Sequence, residues 1–155
     1  MQQKDIDSTD ISILRALQAD ASISVGKLAE RLYLSKSACW RRIQKLEDSG
    51  IIKERVTLLD QNQLELDLTT FIFIRTNKHN AAWSEIFKQT VESLPGVMEV
   101  YRMGGDVDYL IKAVVKDMKG YDTLYQQLIQ ADLFDVSAGF VMETIKHTHE
   151  LPLPN

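Results

Sequence analysis

Three groups of residues have types and spacing that could do chemistry. The first is LSKSACWRRIQKLEDSG, residues 34–50, which gathers Ser35, Lys36, Ser37, Trp40, Arg41, Arg42, Gln44 and Lys45. Such side chains at helical spacing suit nucleic acid. Arginine spans a guanine edge or clamps a phosphate, glutamine pairs with an adenine edge, and serines at a helix start meet phosphate oxygens. The second is GGDVD, Gly104, Gly105, Asp106, Val107 and Asp108. A glycine pair lets backbone N–H groups approach a carboxylate, and an aspartate accepts from an ammonium, so the stretch suits a zwitterion. Taken alone it reads as a hairpin turn with solvated carboxylates. The third group is the single cysteine, Cys39, with His79, His147 and His149. One cysteine makes no internal disulfide, and the histidines have no metal-site spacing, so neither a structural metal nor a cofactor is expected.

Helical geometry sorts the first group. At about 100° per residue, Cys39, Ile43 and Leu46 fall on one side, while Ser37, Arg41 and Gln44 fall on the other, with Trp40 and Lys45 at its edges. The first set packs and the second set reads. Cys39 is thereby a small core residue, and Arg42 turns away towards a backbone phosphate or a neighbouring acid. Over residues 35–55 the cations Lys36, Arg41, Arg42, Lys45, Lys53 and Arg55 oppose Glu47, Asp48 and Glu54, although the whole chain carries −4. The positive charge is local, and contacts are made by faces rather than averages. The plain alternative is a solvated charged helix face.

The elements that must position these groups come in two kinds. From Asp7 to Ser49 apolar residues recur at helical spacing in three blocks. Asp7 is a candidate N-cap with Asp10 three residues on, and Ile6 could staple onto Ile11. This first helix ends near Asp20. Ser24 starts a second, and Ser35 a third that runs from Lys36 to about Ser49 and stops at Gly50. Three short helices with a tight turn between the last two make a helix-turn-helix. IIKERVTLL then suits a short ribbon or wing, and DQNQLELD a polar linker. The expected division is a DNA-binding domain over 1–60, a linker over 61–66 and a second domain over 67–155.

In that second domain LTTFIFIRT reads as a strand, AAWSEIFKQTVESL as a helix, VMEVYRM and YLIKAVV as strands, DMKGYDTLYQQLIQA as a helix and AGFVMETIKHT as a strand. The order is βαββαβ, a ferredoxin-like α+β domain. Ile72 and Ile74 point one way and Phe71 and Phe73 the other, so both faces of the first strand are apolar. Two helices cover one face only, and the other predicts a dimer formed sheet to sheet, unless the linker or the N-terminal domain covers it. With 155 residues, 45% of them hydrophobic and 26% charged, disorder and fibre classes drop out. FIFI at 71–74 falls far short of the roughly 20 apolar residues that span a bilayer, and MQQKDIDSTD has no apolar signal core. The expectation is a cytoplasmic protein with no membrane partner.

The blocks DIDSTDISILRALQADASIS, KLAERLYLSKSACWRRIQKLEDSGIIK and RMGGDVDYLIKAVVKDMKGYDTLY, with the closing HTHELPLP, resemble the Lrp/AsnC (feast/famine) family of transcriptional regulators. ACWRRIQKLED, RMGGDVDYL and DMKGYD look most like the branch containing its cysteine-responsive detoxification regulator. The resemblance implies a winged helix-turn-helix followed by a ligand-sensing domain, binding to double-stranded DNA, a small amino-acid effector, and a homodimer assembling to a tetramer or octamer. It places the effector loop on Gly104, Gly105, Asp106, Val107 and Asp108. Threonines that the family often has early in the last strand are replaced here by Val136 and Ala138, flanking Ser137. The glycine common in its helix-two-to-three turn is replaced by Tyr33, which at positive φ would carry strain of order 1 kcal/mol.

Two other functions compete. An architectural DNA binder blind to any effector would keep the cationic helix and leave GGDVD a plain turn. Haem-pathway decarboxylases resemble the same two-domain layout, but would need basic or histidine side chains around a tetrapyrrole pocket. The expectation is a regulator and not an enzyme.

Overall fold

The first helix, α1 (Ser8–Ala19), begins where two carboxylates satisfy each other's backbone: Asp10 N–H donates to Asp7 Oδ1 at 2.8 Å and Asp7 N–H to Asp10 Oδ2 at 3.2 Å. This capping box is the expected one, with aspartate in both places. α2 (Val25–Arg31) and α3 (Lys36–Asp48) start on Ser24 and Ser35, whose hydroxyls accept from Lys27 N–H and Ala38 N–H. The structure is a computed structural model and describes residues 6–154. Ile6, expected to staple the helix start, is 38% exposed.

Both later helices end in the same way. At α2, Tyr33 N–H bonds Glu30 O and Leu34 N–H bonds Ala29 O; at α3, Gly50 N–H bonds Glu47 O and Ile51 N–H bonds Leu46 O. Each is a Schellman ending, which needs a left-handed residue after the cap. Gly50 supplies it at φ 69°, and Tyr33 supplies it at φ 56° with its ring in solvent. The strain expected at Tyr33 is therefore present.

Two compact units divide the chain. One ends at Leu58 and takes back the segment from Lys146 onward; the other is Leu59–Ile145. The core of the first joins Ile13, Leu14, Ala16, Leu28, Ala29, Cys39, Ile43 and Leu46, with Leu153 packed against it. That last contact departs from the expected 67–155 domain. Leu151 N–H donates to Gln18 Oε1 at 2.7 Å, Gln18 Nε2 donates to Leu151 O at 3.3 Å, and Arg15 donates to Pro154 O. The tail docks there because α1 offers both an apolar rest for Leu153 and partners for its backbone. The ribbon expected after Gly50 is likewise corrected: Ile51 and Ile52 fold back on the core, and residues 53–60 run without strand pairing. No described segment supplies them a ladder, and Val56, Leu58 and Leu59 stay exposed.

In the second unit, after a 3-10 turn at Asn62–Leu64, come β1 (Leu68–Arg75), α4 (Ala81–Ser93), β2 (Val97–Arg102), β3 (Tyr109–Val115), α5 (Met118–Leu128) and β4 (Asp135–Phe140). The order is the expected βαββαβ. The four strands form an antiparallel sheet ordered β2-β3-β1-β4. Ile72, Ile74, Ile111 and Ala113 pack with Trp83, Phe87 and Val91 of α4 and Leu124 and Leu128 of α5. The last strand lies three residues earlier than expected and stops at Phe140, opposite Thr70 near the start of β1. Its alternation continues to Thr148, but beyond Thr70 only two residues of β1 remain, and Val141 N–H donates to one of them, Thr69 O. On the face away from the helices, Phe73 is 38% and Tyr101 48% exposed, with Phe71 and Leu110 half-buried.

Candidate functional site

The cationic helix has two faces of opposite character. Cys39, Ile43 and Leu46 are at most 2% exposed and hold α3 to α1 and α2. Burial raises the Cys39 thiol above its ordinary pKa, so it stays protonated and acts as an apolar group. Opposite, Ser35, Lys36, Ser37, Trp40, Arg41 and Lys45 are all exposed. Neither Arg41 nor Lys45 has a hydrogen-bonding or ionic partner among the described residues. Gln44, half-buried, donates to Glu47 Oε2 at 2.7 Å, and Arg55 donates to the other oxygen of that carboxylate at 3.0 Å. The bond holds the Gln44 amide against its own helix.

Arg42 is turned away, as its helical angle requires. Its Nη1 lies 2.7 Å from Asp7 Oδ2 and 2.8 Å from Asp10 Oδ1. Asp10 is 2% exposed, so Arg42 neutralises a buried carboxylate and ties α3 to the start of α1. The Asp7 carboxyl is held below its ordinary pKa, first by Asp10 N–H and then by Arg42. Two neighbouring arginines thus have different tasks, one facing solvent and one clamping the helices.

The GGDVD loop joins β2 to β3. Gly105 has φ 118°, a conformation that side chains rarely adopt. Asp108 is not a free carboxylate: its Oδ2 accepts from Thr76 N–H at 2.8 Å. Asp106 O accepts from Arg75 Nε at 2.8 Å, and Met103 N–H closes the hairpin on Asp108 O. Asp106 keeps its side-chain carboxylate exposed. Val136 and Ala138 are not brought to this loop. They pair with Ile74 and Ile72 and share their face, packed against the core under the helices. Strand parity decides this, and the side chains that belong with the open face are Asp135 and Ser137.

A concavity at the end of β2 has no counterpart among the sequence expectations. Lys78, His79, Asn80, Trp83, Arg102 and Tyr109 line a cavity of about 220 Å³. Its cations are 24 residues apart in the chain, so no local pattern could have signalled it. Among the described residues, no group of histidine, cysteine, aspartate and glutamate could hold a metal ion, and no helix is long and apolar enough to cross a membrane.

Comparison with known proteins agrees with this layout. A family model described as a winged helix-turn-helix DNA-binding domain matches residues 6–53, and one described as the Lrp/AsnC ligand binding domain matches residues 69–151. The glutamate uptake regulatory protein of Zymomonas mobilis is 47% identical over 150 residues, covering 96% of this chain and 92% of that protein. The DNA-binding transcriptional activator DecR of Escherichia coli is 40% identical, covering 96% and 99%. Among solved structures, a transcriptional regulator of Neisseria meningitidis in complex with L-methionine is 33% identical with a TM-score of 0.89, covering 96% of this chain and 97% of that one.

Proposed function

The chain belongs to the Lrp/AsnC family of transcriptional regulators, and from that premise we propose that α3 reads DNA under the control of an amino acid sensed by the βαββαβ unit. The observation that carries the proposal is the exposed face of α3, where Arg41 and Lys45 are left without partners above a buried Cys39, Ile43 and Leu46. Arg41 takes a guanine edge or a phosphate. Ser35, Lys36, Ser37 and Lys45 take backbone phosphates, Trp40 packs at the edge of the groove, and Gln44 reads once released from Glu47.

Gly104, Gly105, Asp106 and Asp108 form the effector loop, with Asp106 the free acceptor for an ammonium and Asp108 the brace that holds the loop to Thr76. One relative's name concerns glutamate uptake, and one structural relative is a complex with L-methionine, which supports an amino acid as the class of effector. Asp135 and Ser137 replace Val136 and Ala138 as the residues at the start of β4 that reach the open face.

The protein works as a homodimer closed over the apolar open face of the sheet, where Phe73 and Tyr101 remain exposed. Dimers associate further into tetramers or octamers, and the site of action is cytoplasmic DNA. Two recognition helices related by a dimer axis fit a pseudo-palindromic site. A thermal-shift screen of the twenty amino acids tests the sensing half: at least one raises the midpoint at millimolar concentration, whereas no response to any of them leaves only an effector-blind DNA binder. Sedimentation of Phe73→Asp tests the other half, with dissociation to monomer expected and an unchanged assembly overturning the sheet-to-sheet interface.

A further inference from the structure

We propose that the cavity at the end of β2 takes the side-chain carboxylate of an acidic amino acid, so that the effector is glutamate or aspartate; the inference rests on the amino-acid reading above. Its walls are cationic and aromatic. Arg102 and His79 have no acidic partner among the described residues, while Lys78 is paired with Asp132 on its outer side. Arg102 lies on the helix-side face of β2, in register with Tyr109. The Tyr109 ring packs on Phe87 at 4.6 Å, and Trp83 is fixed by its Nε1–H donating to Ala131 O at 2.8 Å. The wall is rigid and the free charge is a guanidinium, which binds a carboxylate through two parallel N–H donors. Asn80 Oδ1 already accepts from Trp83 N–H at the start of α4, so the attraction for an anion comes from the side chains and not from the helix end.

The cavity and the effector loop are linked through the chain and through two hydrogen bonds. Arg102 stands two residues before Gly104 in the chain. Asp108 of the loop holds Thr76 N–H, and Thr76 Oγ1 accepts from Lys78 N–H at 3.0 Å, so the connection carrying Lys78 and His79 is braced from the loop itself. An acidic amino acid can thus set its ammonium at Asp106 and its side-chain carboxylate at Arg102. At about 220 Å³ the space is smaller than the roughly 300–1,000 Å³ of drug-sized pockets and suits one small zwitterion. An apolar amino acid would have a different seat, the groove of about 520 Å³ between α4 and β2, where Val91, Val97, Met98 and Val100 form the apolar wall and Lys88, Glu92 and Glu99 a charged rim. The two cavities meet at Arg102 and predict opposite effectors.

The test uses the full-length protein in thermal-shift and calorimetric titrations with L-glutamate, L-aspartate, L-glutamine, L-asparagine, L-leucine, L-methionine and inorganic phosphate. The acids are expected to bind at least tenfold more tightly than their amides, and Arg102→Gln to remove that preference while its circular dichroism matches the parent. Equal or tighter binding of an amide or an apolar amino acid, an equal response to phosphate, or an acid preference surviving in R102Q overturns the acidic site and leaves the amino-acid regulator standing. No response to any amino acid overturns both.

Discussion

The exposed face of α3 and the GGDVD loop both look polar and available in sequence, but they differ in how their polar groups are spent. On α3, Arg41 and Lys45 bond nothing among the described residues. In the loop, Asp108 is committed to Thr76 N–H and Asp106 O to Arg75 Nε. A face of unspent donors is ready for a ligand as polyanionic as DNA. A loop whose groups already bond internally can change state when a ligand competes for them, and competition of this kind gives a ligand different affinities for two arrangements. The contrast is what the proposed division between a reading helix and a sensing loop requires.

Several substitutions would break or sharpen that contrast. The largest effect is expected from Arg42→Ala, which leaves the Asp10 carboxylate buried and unpaired. Allowing for the one-third exposure of Arg42, the head should lose about 2–3 kcal/mol, measured by urea unfolding through Trp40 in a Trp83→Phe background. Unchanged stability would mean that Arg42 is not the clamp. Arg41→Ala should cost about 1–3 kcal/mol of specific DNA affinity with no loss of folding stability, the reverse of its neighbour. In the loop, Asp108→Asn should cost about 1 kcal/mol of stability in the second unit and weaken the response to effector. A variant that responds like the parent would show that the brace is not part of sensing.

Tyr33→Gly relieves a positive φ at a fully exposed position and should stabilise the head by about 0.5–1 kcal/mol, read as a raised unfolding midpoint. Smallest is the acid response of Asp7. Its folded pKa is depressed, so its contribution is complete above its unfolded value near 4 and is lost as pH falls through the lower folded value. Parent and Asp7→Asn should therefore converge in stability once the pH has fallen through that lowered folded value. A difference that stays constant through the whole acid range would remove the linkage.

Much of this was legible because it is local. The Asp7, Ser24 and Ser35 caps, the split of α3 into a packed and an exposed face, the turn of Arg42 away from that exposed face and the left-handed Tyr33 each depend on residues within a turn or two. The order βαββαβ followed from alternating periodicities. Features fixed by distant partners were not legible. β4 ends opposite Thr70, near the start of β1, which no alternation in AGFVMETIKHT reveals. Val136 and Ala138 went to the core because parity is set by the register against Ile72 and Ile74. The tail HTHELPLP has no period of its own, and it docks on Gln18, 133 positions away. The cavity with Arg102 needed the fold to bring it beside Lys78 and His79.

On the proposed function, α3 reads DNA and an amino acid bound to the second unit changes how tightly it does so. Fluorescence anisotropy of the full-length protein on a DNA fragment recovered by binding-site selection, titrated with each of the twenty amino acids in turn, tests this most directly. Tight binding that weakens steeply with salt is expected, with a midpoint that at least one amino acid shifts several-fold. Specific binding whose midpoint none of the twenty moves would contradict it.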